Sequence, residues 1–491
     1  MSIDFDALSA MDAAHLVKAG EVSAREMADA AFSNIEKRDG KVKAFLELSH
    51  DLAYEAADKI DQARSAGEEL PLLAGVPVAF KDNMNLVGTH TTCASKMLEG
   101  YESTYTASCV ENILNAGGLP LGKLNLDEFA FGSSTETSAF QTTHNPHDLE
   151  RVPGGSSGGS AASVAAGEAL LTLGSDTGGS IRQPAAFCGV VGFKPTYGMV
   201  SRYGVVAFAS SLDQVGPFAK TVDDVAHAMQ VLARKDPKDV TSQPGENDFL
   251  SHLHDGIEGK TIGIVRSMIE AKGVTDEVRY ALNEAIQHLE DLGANLVDVE
   301  LPHAESAMSA YYIIGPSEAF SNLSRFDAVR YGKRVMAANL NDTTALSRYE
   351  GFGPEVRRRI LLGSYILSSE KYQELYYPAQ KIRTLITKDY TEAFKTCDTL
   401  FMPCAPRAAF KFGEISDPTE MYLSDMFTVS INIAGNGGIS VPLGMGKDTG
   451  LPLAGQLVCP AFKDAELLRV AHALEGCYEK VSVAQAVQEG E

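Results

Sequence analysis

Apolar residues recur at three- and four-residue intervals through Ala24–Ile35 and again through Leu52–Ala63, the spacing that turns one face of a helix toward a core. Residues 9–66 are therefore read as helical. From Leu72 to Ala233 strand and helix signals alternate, the order expected of a mixed α/β sheet with helical cover. Inside that stretch, Ser160–Ala166 predicts a helix start built from small residues, and Ala169–Leu173 a short buried strand. Lys235–Glu258 is polar and holds Pro237, Pro244 and Gly245, so a surface loop is expected. Beyond it the pattern predicts a strand at Thr261–Val265, a helix near Glu277–Leu292 and a strand at Asn295–Val299. Long helical segments are expected over 304–340 and 354–395, with returns to the sheet at Thr399–Met402 and Gly438–Pro442. There is no internal repeat and no low-complexity tract.

Composition narrows the function classes. The chain has 491 residues, and its 44% hydrophobic content is ample for a core. Apolar runs such as Ala161–Leu173 are too short and interrupted to span a bilayer, and Met1–Ala10 carries acids without the basic start of a signal or transit peptide. The formal net charge of −23 disfavours a main nucleic-acid-binding surface, since phosphate contacts need clustered Lys and Arg. Seven cysteines are scattered without a C-x-x-C pair, which suggests neither zinc nor a disulfide framework. A cytoplasmic location is expected on these grounds. Cys188, among apolar neighbours, reads as a buried structural thiol.

The candidate chemistry lies in Gly154–Ser180, which reads GGSSGGSAASVAAGEALLTLGSDTGGS. Two Gly- and Ser-rich turns bracket a run of small and apolar residues. Glycine lets a ligand approach the main chain, and a turn such as Asp176–Ser180 can aim several N–H groups at one point, as an oxyanion hole requires. Three rivals stand beside this reading. A single Gly/Ser turn is most often a flexible linker, although apolar residues run between these two. Gly117–Leu124 comes close to a phosphate-binding loop, but Leu124 stands where Ser or Thr must hold magnesium; it is read as a helix-to-strand turn. Gly155–Gly159 fits G-x-S-x-G, which would make Ser157 a nucleophile served by a downstream acid and histidine.

At these residues the chain resembles the amidase signature family. The match consists of Lys81 within Val76–Asp82, GGSSGGS at 154–160 and Gly174–Pro184, with Ser156 75 residues after Lys81 and Ser180 24 residues after Ser156. The resemblance implies an α/β/α fold around a large mixed sheet. Carried over by position, Ser180 is the acylated nucleophile, Ser156 relays a proton from a position that follows a cis peptide bond, and Lys81 is the ultimate base. The N–H groups of Thr177, Gly178, Gly179 and Ser180 are the implied oxyanion hole, and Asp176 and Arg182 are expected to brace the loop. A lysine can serve as base only when neutral, so its pKa must fall well below about 10.4. The apolar run Val76–Phe80 is consistent with the desolvation that would lower it.

Further stretches are similar to the glutaminase subunits of tRNA-dependent amidotransferases: Leu126–Glu136 with Asn145–Asp148, Tyr311–Ile314 leading to Ser317–Asp327, Gly351–Gly363, and Tyr422–Asp425. The likeness covers nearly the whole chain. It implies glutamine as substrate, with Arg359 on the α-carboxylate, Asp425 on the α-ammonium, and Tyr311 or Tyr312 lining the pocket. By composition alone Arg357–Arg359 would be a solvated helix face and Asp425 a surface acid. It also implies a heterotrimer with GatB-like and GatC-like subunits, in which the partner holds Glu-tRNA(Gln) or Asp-tRNA(Asn) and activates it with ATP and Mg2+. No cofactor or metal is expected in this chain. Asn436-Gly437, His147 and Gln456–Pro460 depart from the commoner pattern of the relatives. Because the candidate residues must meet in one cleft, one domain is expected over 1–491, comprising a helical segment 1–68, a core 69–235 and a remainder 236–491. Two alternatives stand: a stand-alone amidase for aryl, aliphatic or fatty amides, whose pocket should lack the Arg359 and Asp425 pair, and a silent scaffold, which should lack one of Lys81, Ser156 and Ser180.

Overall fold

The structure, a computed structural model, describes residues 3–245, 248–482 and 487. Its N-terminal helices begin where the sequence provides caps. Ser23 Oγ accepts from the Glu26 N–H at 3.0 Å while Glu26 Oε2 accepts from the Ser23 N–H at 2.8 Å, a reciprocal box that satisfies two donors left over at a helix start. The helix that follows, Ala24–Val42, buries Met27, Ala28, Ala31, Phe32 and Ile35, and His50–Ser65 packs beside it.

Eleven strands among the described residues form one mixed sheet. In chain order they are β1 (Phe45–Leu48), β2 (Pro77–Lys81), β3 (Leu119–Leu124), β4 (Leu171–Asp176), β5 (Val191–Lys194), β6 (Gln214–Ala219), β7 (Thr261–Ile264), β8 (Asn295–Asp298), β9 (Thr399–Pro403), β10 (Gly438–Met445) and β11 (Pro452–Val458). They lie in the order β1-β3-β2-β4-β6-β5-β10-β11-β9-β7-β8. Every residue of β2, β3, β4, β6, β9 and β11 is buried, as a sheet covered on both faces requires. β2 and β4 are parallel neighbours with Phe80 opposite Leu173, so their C-terminal ends bring Lys81 and Ser175 to the same edge.

Several expectations shift. The strand expected at Ala169–Leu173 runs instead from Leu171 to Asp176, because pairing with β6 continues through Ser175↔Val215 and Asp176↔Gln214. The helix expected over 304–340 stops at Leu323. Residues 324–339 are irregular, with Ala328 and Gly332 at positive φ, and a new helix, Leu340–Gly351, starts on the Asn339 cap. The expected 354–395 helix is two, Pro354–Ile366 and Tyr377–Ala393, separated by a turn and a π-helical segment at Tyr372–Tyr376. The Lys235–Glu258 stretch carries no helix or strand, residues 246–247 lying outside the described residues. Among the described residues no helix is long and apolar enough to cross a membrane.

Gly117–Leu124 is not a phosphate loop. Gly117 turns at φ +93, and Lys123 sits inside β3 with its Nζ 2.7 Å from Asp82 Oδ1 and 2.8 Å from the His90 carbonyl. Both charged side chains are essentially inaccessible to water. Replacing Lys123 by Met strands a buried carboxylate, a change that typically costs about 3–5 kcal/mol. Chemical denaturation of Lys123→Met is expected to show a loss of that order, and an unchanged midpoint would show that the pair is not what holds this edge of the sheet.

Candidate active site

Lys81 ends β2 and is completely buried. Its Nζ lies 2.7 Å from Ser156 Oγ, 2.8 Å from Ser157 Oγ and 3.0 Å from Ser175 Oγ, with the Ser175 carbonyl at 3.4 Å. Every one of these partners is uncharged. Burial pushes Lys81 down to about 7, against the pull of Asp127, Asp176 and Asp213 at longer range. The side chain is thus poised to hold or give up a proton near neutrality.

The turn that carries Ser156 is fixed from both sides. The Gly155–Ser156 peptide bond is cis. The Gly155 N–H donates to Gln183 Oε1 at 3.0 Å, and Gln183 Nε2 donates to the Ser133 carbonyl at 2.9 Å. A Cβ on Gly155 would lie 2.1 Å from Asp127 Oδ2, so only glycine fits. Asp127, itself buried, accepts from the Ser134 and Thr135 N–H groups and from Thr137 Oγ1. Ser157 is buried, accepts from Lys81 and donates to the Ser175 carbonyl at 3.0 Å. An elbow presents its serine hydroxyl to substrate, whereas that of Ser157 is 0% exposed and already committed to Lys81 and Ser175, so the elbow reading does not hold; the helix Gly158–Ala165 starts directly after it.

Ser180 follows the Gly178-Gly179 turn and remains partly exposed. Its carbonyl accepts from the Ser157 N–H at 3.2 Å. Its Oγ makes no hydrogen bond among the described residues, so the chain of contacts closes from Lys81 to Ser156 but not from Ser156 to Ser180. Bonds of this kind are commonly long in a free site and tighten around a reacting group.

One expected oxyanion donor is corrected. The Gly179 N–H, at φ +137, turns inward and donates to Asp176 Oδ1 at 2.8 Å, while the Ile181 N–H donates to Asp176 Oδ2 at 3.1 Å. Gly179 therefore braces the loop. The N–H groups of Thr177, Gly178 and Ser180 donate to no described residue and are the ones left to hold an anion. Asp176 is an anchor rather than a reactant. Burial pushes it up, but Arg182, at 3.0 Å through both Nε and Nη2, outweighs that and holds it at about 2. Arg182 in turn donates to Gln456 Oε1 at 2.7 Å and Asn432 Oδ1 at 2.6 Å.

The distant pocket residues converge on the same loop. The Tyr311 ring covers Gly178 so closely that a Cβ there would lie 2.7 Å from it. Tyr312 stacks on Tyr422 at 4.0 Å, and the Arg359 guanidinium lies 4.9 Å and 4.8 Å from those two rings. Arg359 is 4% exposed, unlike Arg358 beside it, which is exposed. Its Nε donates to Glu355 Oε1 at 2.7 Å, an oxygen that also accepts from Tyr422 at 3.0 Å. Asp425 is buried, accepts from Ser133 Oγ at 2.6 Å, and is pushed up to about 7 by burial. Its carbonyl and that of Gly178 both accept from Thr428 Oγ1. A cavity of about 710 Å³ is walled by Ser133, Phe352, Glu355, Arg359 and Tyr422, and one of about 350 Å³ reaches Ser175, Thr177 and Asp213.

The sequence pattern does not single out Ser175, Gln183, Glu355, Thr428 or Asn432. Ser175 lies within the Gly- and Ser-rich stretch and Gln183 three residues past Ser180. Glu355 stands four residues before Arg359 on the same helix face, a spacing the sequence reading does not use. Nothing in the local pattern marks Thr428 or Asn432, whose roles arise from contacts across about 250 residues of sequence.

The pattern of the family described as Amidase matches residues 26–468. The chain is similar to the A subunit of the glutamyl-tRNA(Gln) amidotransferase of Carboxydothermus hydrogenoformans, with 53% identity over 471 residues covering 95% of this chain and 96% of the relative. Its likeness to the protein of the same description from Prochlorococcus marinus is 51%, covering 93% and 94%. The crystal structure of the corresponding A subunit from Thermotoga maritima superposes with a TM-score of 0.81 at 40% identity, covering 98% of this chain and 99% of that one.

A base must be neutral to accept a proton, and Lys81 is neutral above about 7. Amide turnover is therefore expected to rise with pH through that value. Lys81→Arg keeps its proton at every accessible pH and is expected to lose about 10²–10⁴ in kcat along with the rising limb. A profile that survives Lys81→Arg unchanged would remove Lys81 from proton transfer.

Proposed function

The chain belongs to the amidase family, and on that premise we propose that it is the glutamine-hydrolysing subunit of a glutamyl-tRNA(Gln) amidotransferase. The observation that carries the substrate assignment is the pairing of buried Arg359 with buried Asp425 beside the Gly178–Ser180 loop. A free amino acid needs both charges met. An arginine fork suits an α-carboxylate, and a carboxylate suits an α-ammonium. A pocket for an uncharged aryl or alkyl amide would gain nothing from burying either group.

In this reading neutral Lys81, acting through Ser156, takes the proton of Ser180 Oγ as that oxygen attacks the side-chain amide carbon of glutamine. The developing oxyanion is held by the Thr177, Gly178 and Ser180 N–H groups, an electrostatic contribution that commonly dominates acyl transfer. Collapse of the tetrahedral intermediate expels ammonia, with the proton returned from Lys81 through Ser156 to the departing nitrogen. Water then hydrolyses the γ-glutamyl ester, releasing glutamate and free Ser180. Tyr311 and Tyr312 wall the pocket, and Glu355 orients Arg359.

The ammonia is passed to a GatB-like partner, where misacylated Glu-tRNA(Gln) or Asp-tRNA(Asn), activated with ATP and Mg2+, accepts it; a small GatC-like subunit completes the heterotrimer. The net charge of −23 supports leaving the tRNA to the partner.

Mass spectrometry of the complex after a glutamine pulse is expected to find a γ-glutamyl adduct on Ser180 that Ser180→Ala abolishes. Arg359→Ala and Asp425→Ala should each raise the glutamine KM about ten- to a hundredfold, the worth of one charge-assisted hydrogen bond. Activity that survives Ser180→Ala would sink the mechanism, and an unmoved KM would sink the pocket.

A further inference from the structure

We propose that Glu128 is a positioning residue that acts through Arg359. Its carboxylate fixes the start of the helix Pro354–Ile366, and with it the distance between Arg359, which meets an α-carboxylate, and Asp425, which meets an α-ammonium. The inference rests on the reading of this pocket as a glutamine site and names a residue on which that site depends without its touching substrate.

The helix that carries Arg359 starts without a cap of its own. Its N-cap is Gly353, which has no side chain to close the first turn. Glu128 supplies an acceptor from 225 residues away: its two carboxylate oxygens accept the Gly353 N–H at 2.8 and 3.1 Å. The approach is so close that a Cβ on Gly353 would lie 2.3 Å from Glu128 Oε2. A carboxylate at this point also meets the positive end of the helix dipole. Ser95 Oγ donates to Glu128 Oε1 at 2.5 Å and lies 3.2 Å from the Gly351 carbonyl. The turn between the helices Leu340–Gly351 and Pro354–Ile366 is thus pinned on both sides.

The chain that presents Glu128 is bent to do so. Phe129 and Ala130 stand at φ +53 and +65, the left-handed region that residues other than glycine rarely enter. Such conformations persist where the surroundings over-determine them, and the surroundings here are the pocket. Asp127 lies against Gly155 in the Ser156 turn, and Ser133 donates to Asp425. The Phe129 ring packs 5.5 Å from that of Phe352, and the Phe131 ring lies 5.7 Å from the Arg359 guanidinium. The segment Asp127–Ser133 therefore touches the relay turn, the ammonium site and the carboxylate site, and Glu128 is its hydrogen-bonded tie to the backbone of the Arg359 helix. Arg359 needs that support. Its Nε is committed to Glu355, whereas neither Nη donates to a described residue, so the two Nη groups are the fork left for a carboxylate. They stand less than two turns along from Gly353. A helix start free to shift moves the fork relative to Asp425, and a misplacement of about 1 Å can cost on the order of a hundredfold.

The test measures ammonia release by the complex of the full chain with its partner subunits, from L-glutamine and from L-glutamine α-methyl ester. The ester keeps the side-chain amide and the α-ammonium and lacks the α-carboxylate charge. Wild type is expected to prefer glutamine, and Arg359→Ala to erase the preference. Glu128→Ala should reduce the preference about tenfold, through the glutamine KM rather than kcat. Glu128→Gln, which keeps an acceptor for the Gly353 N–H, should recover most of it. Once Arg359→Ala is in place, adding Glu128→Ala should cost no further preference. The preference is a ratio within one sample and does not depend on how much of a variant folds; Glu128→Asp, one methylene shorter, carries the same comparison where the alanine variant does not fold at all. If Arg359→Ala erases the preference but Glu128→Ala keeps it within twofold, including by losing both substrates in parallel, the proposal is overturned and the glutamine reading stands. If the wild type shows no preference, or Arg359→Ala retains it, the assignment of Arg359 to the α-carboxylate fails and this proposal with it.

Discussion

A lysine ammonium taken out of water and given only neutral partners sets the terms for the rest of this structure. Among the described residues Lys123, Arg182 and Lys194 are as fully buried as Lys81, and they are not all treated alike. Lys123 rests on the Asp82 carboxylate, and Arg182 grips Asp176. Lys194 is handled as Lys81 is: it donates to Gln214 Oε1 at 2.7 Å and to the Asn436 and Pro195 carbonyls, and burial brings it down to about 7. A lowered lysine is therefore not by itself a reactive one. What separates Lys81 from Lys194 is the set of hydroxyls around its nitrogen, since a hydroxyl can both give and take a proton and an amide or carbonyl oxygen cannot.

That arrangement depends on close backbone approach. Parallel pairing of β2 with β4 puts Lys81 beside Ser175. The Ser156 turn reaches the same point only because Gly155 lies against Asp127 and Gly174 against Ser157 without a side chain in the way. The nucleophile loop is held from below, where Asp176 collects two N–H groups and the Arg182 fork. The Gly179 N–H is committed to that brace. The N–H groups of Thr177, Gly178 and Ser180 donate to no described residue, and they belong to the loop that Tyr311 covers.

Much of this is legible in the chain and some is not, for reasons that differ by residue. Helices such as Ala24–Val42 declare themselves through a cap and an apolar stripe, which are local properties. The Gly- and Ser-rich turns mark positions where side chains would collide, so they point at the site even before a family is considered. The 304–340 stretch misleads because its apolar spacing continues past Leu323, while Ala328 and Gly332 adopt positive φ that no helix accommodates. Position alone puts Gly179 in the oxyanion hole, and only the placement of Asp176 shows which way its N–H points. Arg359 is the instructive case. Three consecutive arginines look alike in sequence, and of the three only Arg359 is buried; that follows from its neighbours Tyr312 and Tyr422, contributed by other segments, and Glu355 one turn back on its own helix.

Lys81 and Asp425 are both brought toward neutrality by burial. In the proposed mechanism Lys81 acts without its extra proton and Asp425 meets an ammonium without its own, so acid works against both at once. Neither can be corrected with a nearby opposite charge: a carboxylate on Lys81 would keep it protonated, and a cation fixed on Asp425 would occupy the place of the substrate's amine. Hydroxyl partners avoid both outcomes. Ser156, Ser157 and Ser175 surround the lysine, and Ser133 donates to the aspartate, a bond that draws its carboxyl back toward the ionised form against burial. Serine satisfies each buried group here without placing a fixed charge beside it.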